Sequence, residues 1–260
     1  ALNMIEEAEK SGLLPGRTII DATSGNTGAA YAVIGQARGY AVELVMPKNV
    51  AAERRRVAEE AGAKIIFSDP LAGSDGAILL AREIVTASPA RYFYADQYSN
   101  DDNWKAHIKT SGPEIWRQTK GRITHFVAGL GTTGTFMGDT RYLRQMNPDL
   151  KSYSMEPAEA LHGMEGLKHM ATALVPAIYR AEIATENLQV ASDDAFAMQE
   201  RVFRESGLKV SISAAGSFMA VERIITDLEQ AVIVTIIPAG DATELRPEQR
   251  FFEMVDRGAY

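Results

Sequence analysis

Two hydrophobic periods take turns along this chain, and that alternation constrains its fold more than any other feature. Short β-rich runs at residues 17–21, 41–46, 64–67 and 91–94 are separated by helical patterns at residues 27–38, 51–61 and 76–87. Gly39, Gly62 and Pro89 close those helices. Parallel neighbours need a long crossover, which a helix supplies, so the pattern predicts βαβ units and a parallel sheet. A helix over residues 1–12, carrying Glu6, Glu7 and Glu9, precedes the first strand; it lacks the basic start of a signal peptide. A second series follows the Asn100–Asn103 turn: helix 104–118, strand 123–128, helix 134–146 stopped at Asn147-Pro148, and strand 151–155. Residues 157–180 show no clean period, as long functional loops often do not. Then come strand 188–190, a helix capped by Ser192 and stopped by Gly207, helix 214–228, strand 231–237 and a helical tail from Pro247. The expected class is α/β: two three-layer α/β/α domains with mostly parallel twisted sheets, a smaller one over residues 1–102 and a larger one over 103–260.

Composition narrows the function. Among 260 residues, 27 Lys+Arg against 34 Asp+Glu leave a net charge of −7, so no nucleic acid or anionic membrane is expected as a partner. The longest apolar run, 231–239, is far short of a membrane span. The absence of cysteine excludes disulfides and a thiol nucleophile and fits a cytoplasmic chain. His107, His125, His162 and His169 are too scattered for a standard metal pattern, so no metal is expected. Small molecules are the expected partners.

Two loops could bind them. Thr23-Ser-Gly-Asn-Thr-Gly28 follows a strand and opens a helix, where free N–H groups and the positive helix end gather round an anion such as a carboxylate. A plain capping turn is an equal alternative. Gly129-Leu-Gly-Thr-Thr-Gly-Thr135 stands in the same position in the second series. Its glycines allow close backbone approach and its threonines offer hydroxyls, which suits a phosphate monoester. It has neither the Walker spacing nor a full dinucleotide fingerprint. Together the loops suggest an amino acid across the crevice from a phosphorylated cofactor, with pyridoxal 5′-phosphate the natural candidate.

The residues also carry a resemblance over nearly the whole chain. The 23–28 loop, Gln97-Tyr-Ser-Asn100, Thr110-Ser-Gly-Pro-Glu-Ile-Trp116 and residues 124–135 resemble the cysteine synthase (O-acetylserine sulfhydrylase) family of fold-type II pyridoxal-phosphate enzymes. Residues 162–170 and 175–179 are most similar to its B-type branch. The resemblance implies a homodimer that replaces the β-substituent of an activated serine, O-acetylserine or O-phosphoserine, with a sulfur nucleophile to give L-cysteine. It implies that Thr23, Ser24, Gly25, Asn26 and Thr27 grip the substrate carboxylate, with Asn26 also reaching the cofactor ring and Gln97 as a second carboxylate contact. It makes Gly131, Thr132, Thr133, Gly134 and Thr135 the phosphate cradle and lines other edges of the cofactor with Gly163 and Ala239. Lys168 is a cation for an anionic leaving group, although a solvated surface lysine is the commoner role. Serine or threonine dehydratase, threonine synthase and cystathionine β-synthase chemistry are alternatives within the fold type.

The chain departs from the family in one chemically important way. The family's covalent lysine stands in a Ser-(Val/Ile)-Lys-Asp-Arg segment just ahead of the first helix, and none of the nine lysines here has that setting. The expectation is a piece of a longer protein, inactive by itself and able to bind the cofactor only non-covalently, with its missing strands exposing an edge. A decayed, non-catalytic paralogue is the alternative. At residues 239–240 the family's pyridine-facing serine is replaced by Ala-Gly, and residues 211–217 are a loosened form of Gly-Ile-Ser-Ser-Gly. Arg54-Arg55-Arg56 among glutamates reads as a solvated helix face, Trp104 and Trp116, on or near one helix, as packing or subunit-contact residues, and Asp193 and Asp194 as helix-dipole partners.

Overall fold

The computed structural model describes residues 1–238 apart from Asp227 and Glu229, and among helical side chains it leaves out those of Glu53 and Arg54. Ala239, Gly240 and the tail from Pro247 therefore lie outside the described residues. The described chain forms two units, Ala1–Asp102 and residues 103–238.

In the first unit, helix α1 (Leu2–Lys10) precedes β1 (Thr18–Ala22), α2 (Asn26–Arg38), β2 (Val42–Pro47), α3 (Ala52–Glu60), β3 (Lys64–Ser68), α4 (Gly73–Ala87) and β4 (Tyr92–Tyr94). All pairings are parallel, in the order β3-β2-β1-β4. Alternation along the strands builds two cores. Ile19, Leu44 and Met46 face Met4, Ile5, Tyr31 and Ala58 from α1, α2 and α3, whereas Ile20, Ala22 and Val45 face Ala77, Ile78 and Ala81 of α4. The unit is three layers, as the sequence predicts.

The second unit repeats the plan. It contains α5 (Asp101–Lys109, which begins just ahead of it), α6 (Ser111–Gln118), β5 (His125–Gly129), α7 (Gly134–Met146), β6 (Lys151–Pro157), a 3-10 turn (Ala181–Ile183), β7 (Glu186–Val190), α8 (Ser192–Ser206), α9 (Ile212–Ile225) and β8 (Ile233–Thr235). The parallel order is β7-β6-β5-β8. Phe126 and Ala128 pack with Ile115, Phe136 and Leu143 on one face, and Val127 and Met155 pack with Phe196, Ile212 and Ala220 on the other.

Two details differ from the sequence reading. The single helix over 104–118 is two, because Thr110 (φ −126, ψ −85) breaks the path and α6 starts at Ser111. Pro113 is then tolerated in a first turn, where its missing N–H has no partner to lose. Ser192 does not cap α8 but is its first residue, and its hydroxyl accepts a bond from Gly163 N at 3.0 Å. The arginine-rich face of α3 is as read, with Arg55–Glu59 and Arg56–Glu60 pairs at 3.6 and 2.8 Å.

Strand β4 is only three residues long and leans on one buried carboxylate. Glu43 of β2 accepts bonds from Arg91 Nη2 at 2.7 Å and Tyr92 Oη at 2.9 Å, reaching past β1. Arg91 is 57% exposed while Glu43 is nearly covered. Glu43→Ala is expected to cost about 1–3 kcal/mol in urea unfolding, because the Tyr92 hydroxyl is left buried and unpaired. Arg91→Ala is expected to cost about 1 kcal/mol or less, since its charge is solvated. Equal costs would contradict this account.

Candidate active site

In each unit the strand order reverses beside the first strand, between β1 and β4 and between β5 and β8. Open parallel sheets bind ligands at the carboxyl ends of strands beside such reversals. Both predicted loops lie there.

In the first unit, β1 ends at Ala22 and α2 begins at Asn26 with no side-chain cap. Thr23 is buried, and its hydroxyl oxygen accepts a bond from Gly25 N at 3.2 Å, tightening the turn. Ser24, Gly25 and Thr27 are half-buried and Asn26 is exposed. Gln97, just after β4, joins this loop: its Nε2 donates to Ala22 O at 2.7 Å. Beneath both lies Asp21, fully buried, a residue that sequence reasoning missed. Its Oδ1 accepts from Ala22 N at 2.8 Å and its Oδ2 from Gln97 N at 3.2 Å. Burial pushes its carboxyl up to about 7, against hydrogen bonds from Tyr31 and those two N–H groups. An acidic residue closing the strand before the loop was the available signal.

In the second unit, β5 ends at Gly129 and α7 opens at Gly134, again without a side-chain cap, so the first-turn N–H groups have no helical carbonyl to meet. Thr133 sits at φ 73, where a β-branched residue is strained. Its Oγ1 is buried and has no partner among the described residues. Gly134 N donates to Thr132 Oγ1 at 3.3 Å, which also accepts from Asn103 Nδ2 at 3.0 Å. A Cβ on Gly131 would strike the carbonyl of Gly166, and one on Gly134 would strike Asn103 Oδ1. Glycine is therefore required at both positions by close packing of the loop against Gly166 and Asn103. Thr135 Oγ1 lies 3.2 Å from His107 Nε2. An orphaned hydroxyl, an uncapped helix end and glycines at close approach fit a phosphate group.

Residues 163–168 back this loop. Lys168 N donates to Leu130 O at 2.8 Å, and Gly163 is buried and tied to Ser192. Lys168 is 3% exposed, so the reading as a solvated surface lysine is wrong. Of the nine lysines it is the one that is buried. Ala239, expected at the cofactor's edge, lies outside the described residues.

Residues 1–239 match the family of pyridoxal-phosphate dependent enzymes. The chain belongs to that family. This pyridoxal-phosphate dependent enzyme is 44% identical over 245 residues to the cysteine synthase of Aquifex aeolicus, a match covering 92% of this chain and 75% of the relative. It is 39% identical to cysteine synthase B of Escherichia coli, over 91% of this chain and 78% of that one. Among solved structures, O-acetyl serine sulfhydrylase isoform 3 of Entamoeba histolytica superposes with a TM-score of 0.83 at 33% identity, covering 92% of this chain and 74% of that chain. The fold is therefore that of the fold-type II enzymes, and the B-type likeness read from residues 162–179 agrees with the relatives.

The strain at Thr133 and its orphaned hydroxyl should separate by mutation. Thr133→Gly is expected to stabilise the chain by about 1 kcal/mol, by relieving the left-handed backbone. The same change should weaken pyridoxal phosphate binding by roughly tenfold, the value of one hydrogen bond to a charged acceptor. Thermal melts and fluorescence titrations of one preparation would check both; a variant that gains stability without losing affinity would remove Thr133 from the cradle.

Proposed function

We propose that this fold carries pyridoxal-phosphate-dependent replacement of the β-substituent of an activated serine, O-acetylserine or O-phosphoserine, by a sulfur nucleophile to give L-cysteine. The observation that carries the reading is the buried Thr133 hydroxyl, which has no hydrogen-bond partner among the described residues and stands at the start of α7. Family membership and the cysteine synthases among its relatives support it. When bound, pyridoxal phosphate supplies an electron sink for negative charge at the substrate α-carbon.

The chain's own residues bind and orient. Gly131, Thr132, Thr133, Gly134 and Thr135 hold the phosphate through N–H groups and hydroxyls, with the positive end of α7 behind them. Thr23, Ser24, Gly25, Asn26 and Thr27 hold the substrate carboxylate at the start of α2 in the same way, and Gln97 fixes the base of that loop through Ala22 O. Lys168 is the cation of this reading for an anionic leaving group such as phosphate, in a segment that also includes Gly163 and is bonded to Leu130. A homodimer in the cytoplasm belongs to the same reading.

The reaction also needs a lysine to take the α-proton, and no lysine of these 260 residues has the Ser-(Val/Ile)-Lys-Asp-Arg setting. The test on this chain is therefore binding. Incubation with pyridoxal phosphate, borohydride reduction and peptide mapping should show cofactor bound with no lysine labelled stoichiometrically. Ser24→Ala should leave that binding within about threefold while weakening amino-acid binding, because Ser24 is assigned to the carboxylate alone. Stoichiometric labelling of Lys168 would overturn its assignment to a leaving group, and no cofactor binding at all would sink the reading.

A further inference from the structure

Asp139 lies on α7 about one turn after Thr135 and is fully buried. Its Oδ1 is 2.6 Å from Ser111 Oγ at the start of α6; its Oδ2 has no hydrogen-bond partner among the described residues and lies 3.9 Å from His107 Nδ1. Ser111 Oγ lies 2.8 Å from His107 Nδ1 on α5, and the Nε2 of the same ring lies 3.2 Å from Thr135 Oγ1. Asp139, Ser111, His107 and Thr135 thus form one unbroken chain of hydrogen bonds ending in the phosphate loop.

Proton counting gives that chain a direction. Serine and threonine each carry one hydroxyl proton, and a neutral imidazole carries one ring proton. An ionised Asp139 can only accept. Ser111 then donates to it, Nδ1–H donates to Ser111, and Nε2 accepts the Thr135 hydroxyl proton, which is no longer available to an anion. When Asp139 takes one proton from water, every bond reverses. Asp139 donates to Ser111, Ser111 donates to Nδ1, the ring proton stands on Nε2 and is donated to Thr135 Oγ1, and the Thr135 O–H is released to an outside acceptor.

We propose that Asp139 is a positioning residue for the phosphate cradle, deciding through Ser111 and His107 whether the Thr135 hydroxyl donates outward or into the protein. This rests on the reading of residues 131–135 as a phosphate site. Burial pushes the Asp139 carboxyl up to about 7, opposed by the Ser111 bond, and burial lowers His107 to about 4, so the ring stays neutral while Asp139 titrates. The positive amino terminus of Ala1 adds to burial in lowering His107, and the other charged groups on the surrounding elements are engaged or solvated. Lys105 and Arg141 lie over the Trp104 ring, Arg144 donates to Leu150 O and Thr185 Oγ1, and His125 of β5 bonds Thr124. Lys109, Glu114 and Arg117 are exposed. The sign follows: the outward donor is present below about pH 7 and is lost as pH rises through it.

The test reads the ring before any ligand is added. In the purified chain with 15N-labelled histidine, His107 should carry its proton on Nε2 near pH 5.5 and on Nδ1 near pH 8.5, with a midpoint of about 7. Asp139→Asn should abolish that change, and so should Ser111→Ala, which cuts the chain while keeping the carboxyl. One tautomer throughout in the unmutated protein, or an Asp139→Asn curve that follows it, would overturn the proposal. A second readout is the affinity for pyridoxal phosphate of the unmutated chain relative to Asp139→Asn at each pH, which cancels the ligand's own ionisation. That ratio should fall by roughly tenfold between those two pH values. A switching ring with a flat ratio overturns the link to the cradle. Failure of both proteins to bind at any pH overturns the phosphate reading, while the tautomer curve still decides whether Asp139 commands His107.

Discussion

Backbone N–H groups at the start of a helix must find acceptors, and the strand order of this chain decides where that requirement falls. In both sheets the first strand is central, the next two are added on one side and the last is added on the other. The helices leaving β1 and β5 therefore begin beside a reversal, with the neighbouring strands, β4 and β8, only three residues long. Neither α2 nor α7 has a side-chain cap. An anion from outside is one way to complete such an end, so the topology places two helix N-termini where an anion could be received.

A carboxylate next to an anion site works against it, yet both loops stand close to a buried one. Asp21 holds Ala22 and Gln97 at the base of the first loop, and Asp139 follows the second by one turn. Burial raises each to about 7, which keeps much of the negative charge off them at neutral pH. The same burial fixes their geometry. A solvated carboxylate would be fully charged and mobile, whereas burial shifts these two toward the protonated form and named bonds hold them. Repulsion of a bound anion and loss of loop order are thus both reduced by taking the acid out of water.

The strands, most helices and both loops were legible because they depend on local period and on glycine or hydroxyl residues at strand ends. What could not be read depended on contacts distant in sequence. Lys168 looks like any surface lysine until its N–H is found on Leu130 O, and Ser192 looks like a cap until its hydroxyl is found under Gly163. The break between α5 and α6 was written in Thr110-Ser-Gly-Pro113, but the spacing of Trp104 and Trp116 suggested one continuous face. His107, Ser111 and Asp139 fit no motif, since two helices and a break must be in place before their side chains meet.

The irregular segment after β6 shows how a long loop can be structural. Its own backbone bonds are isolated turns such as Leu167 N to Met164 O and Ala173 N to His169 O, and pins to neighbouring elements add to them. Gly163 N is held by Ser192 Oγ, Lys168 N by Leu130 O, and Met170 N by Glu156 Oε2, whose other oxygen accepts from Gln189. Each pin joins the segment to α8, to the phosphate loop or to the end of β6. Leu130 and Gly131 are in turn confined by Lys168 and Gly166, so the cradle and its backing restrain each other. A loop that holds Thr133 in a strained conformation can persist only where the surrounding structure over-determines it. The pinned segment is that surrounding structure, and its isolated turns, joined by bonds to other elements, leave no helical or strand period in its sequence.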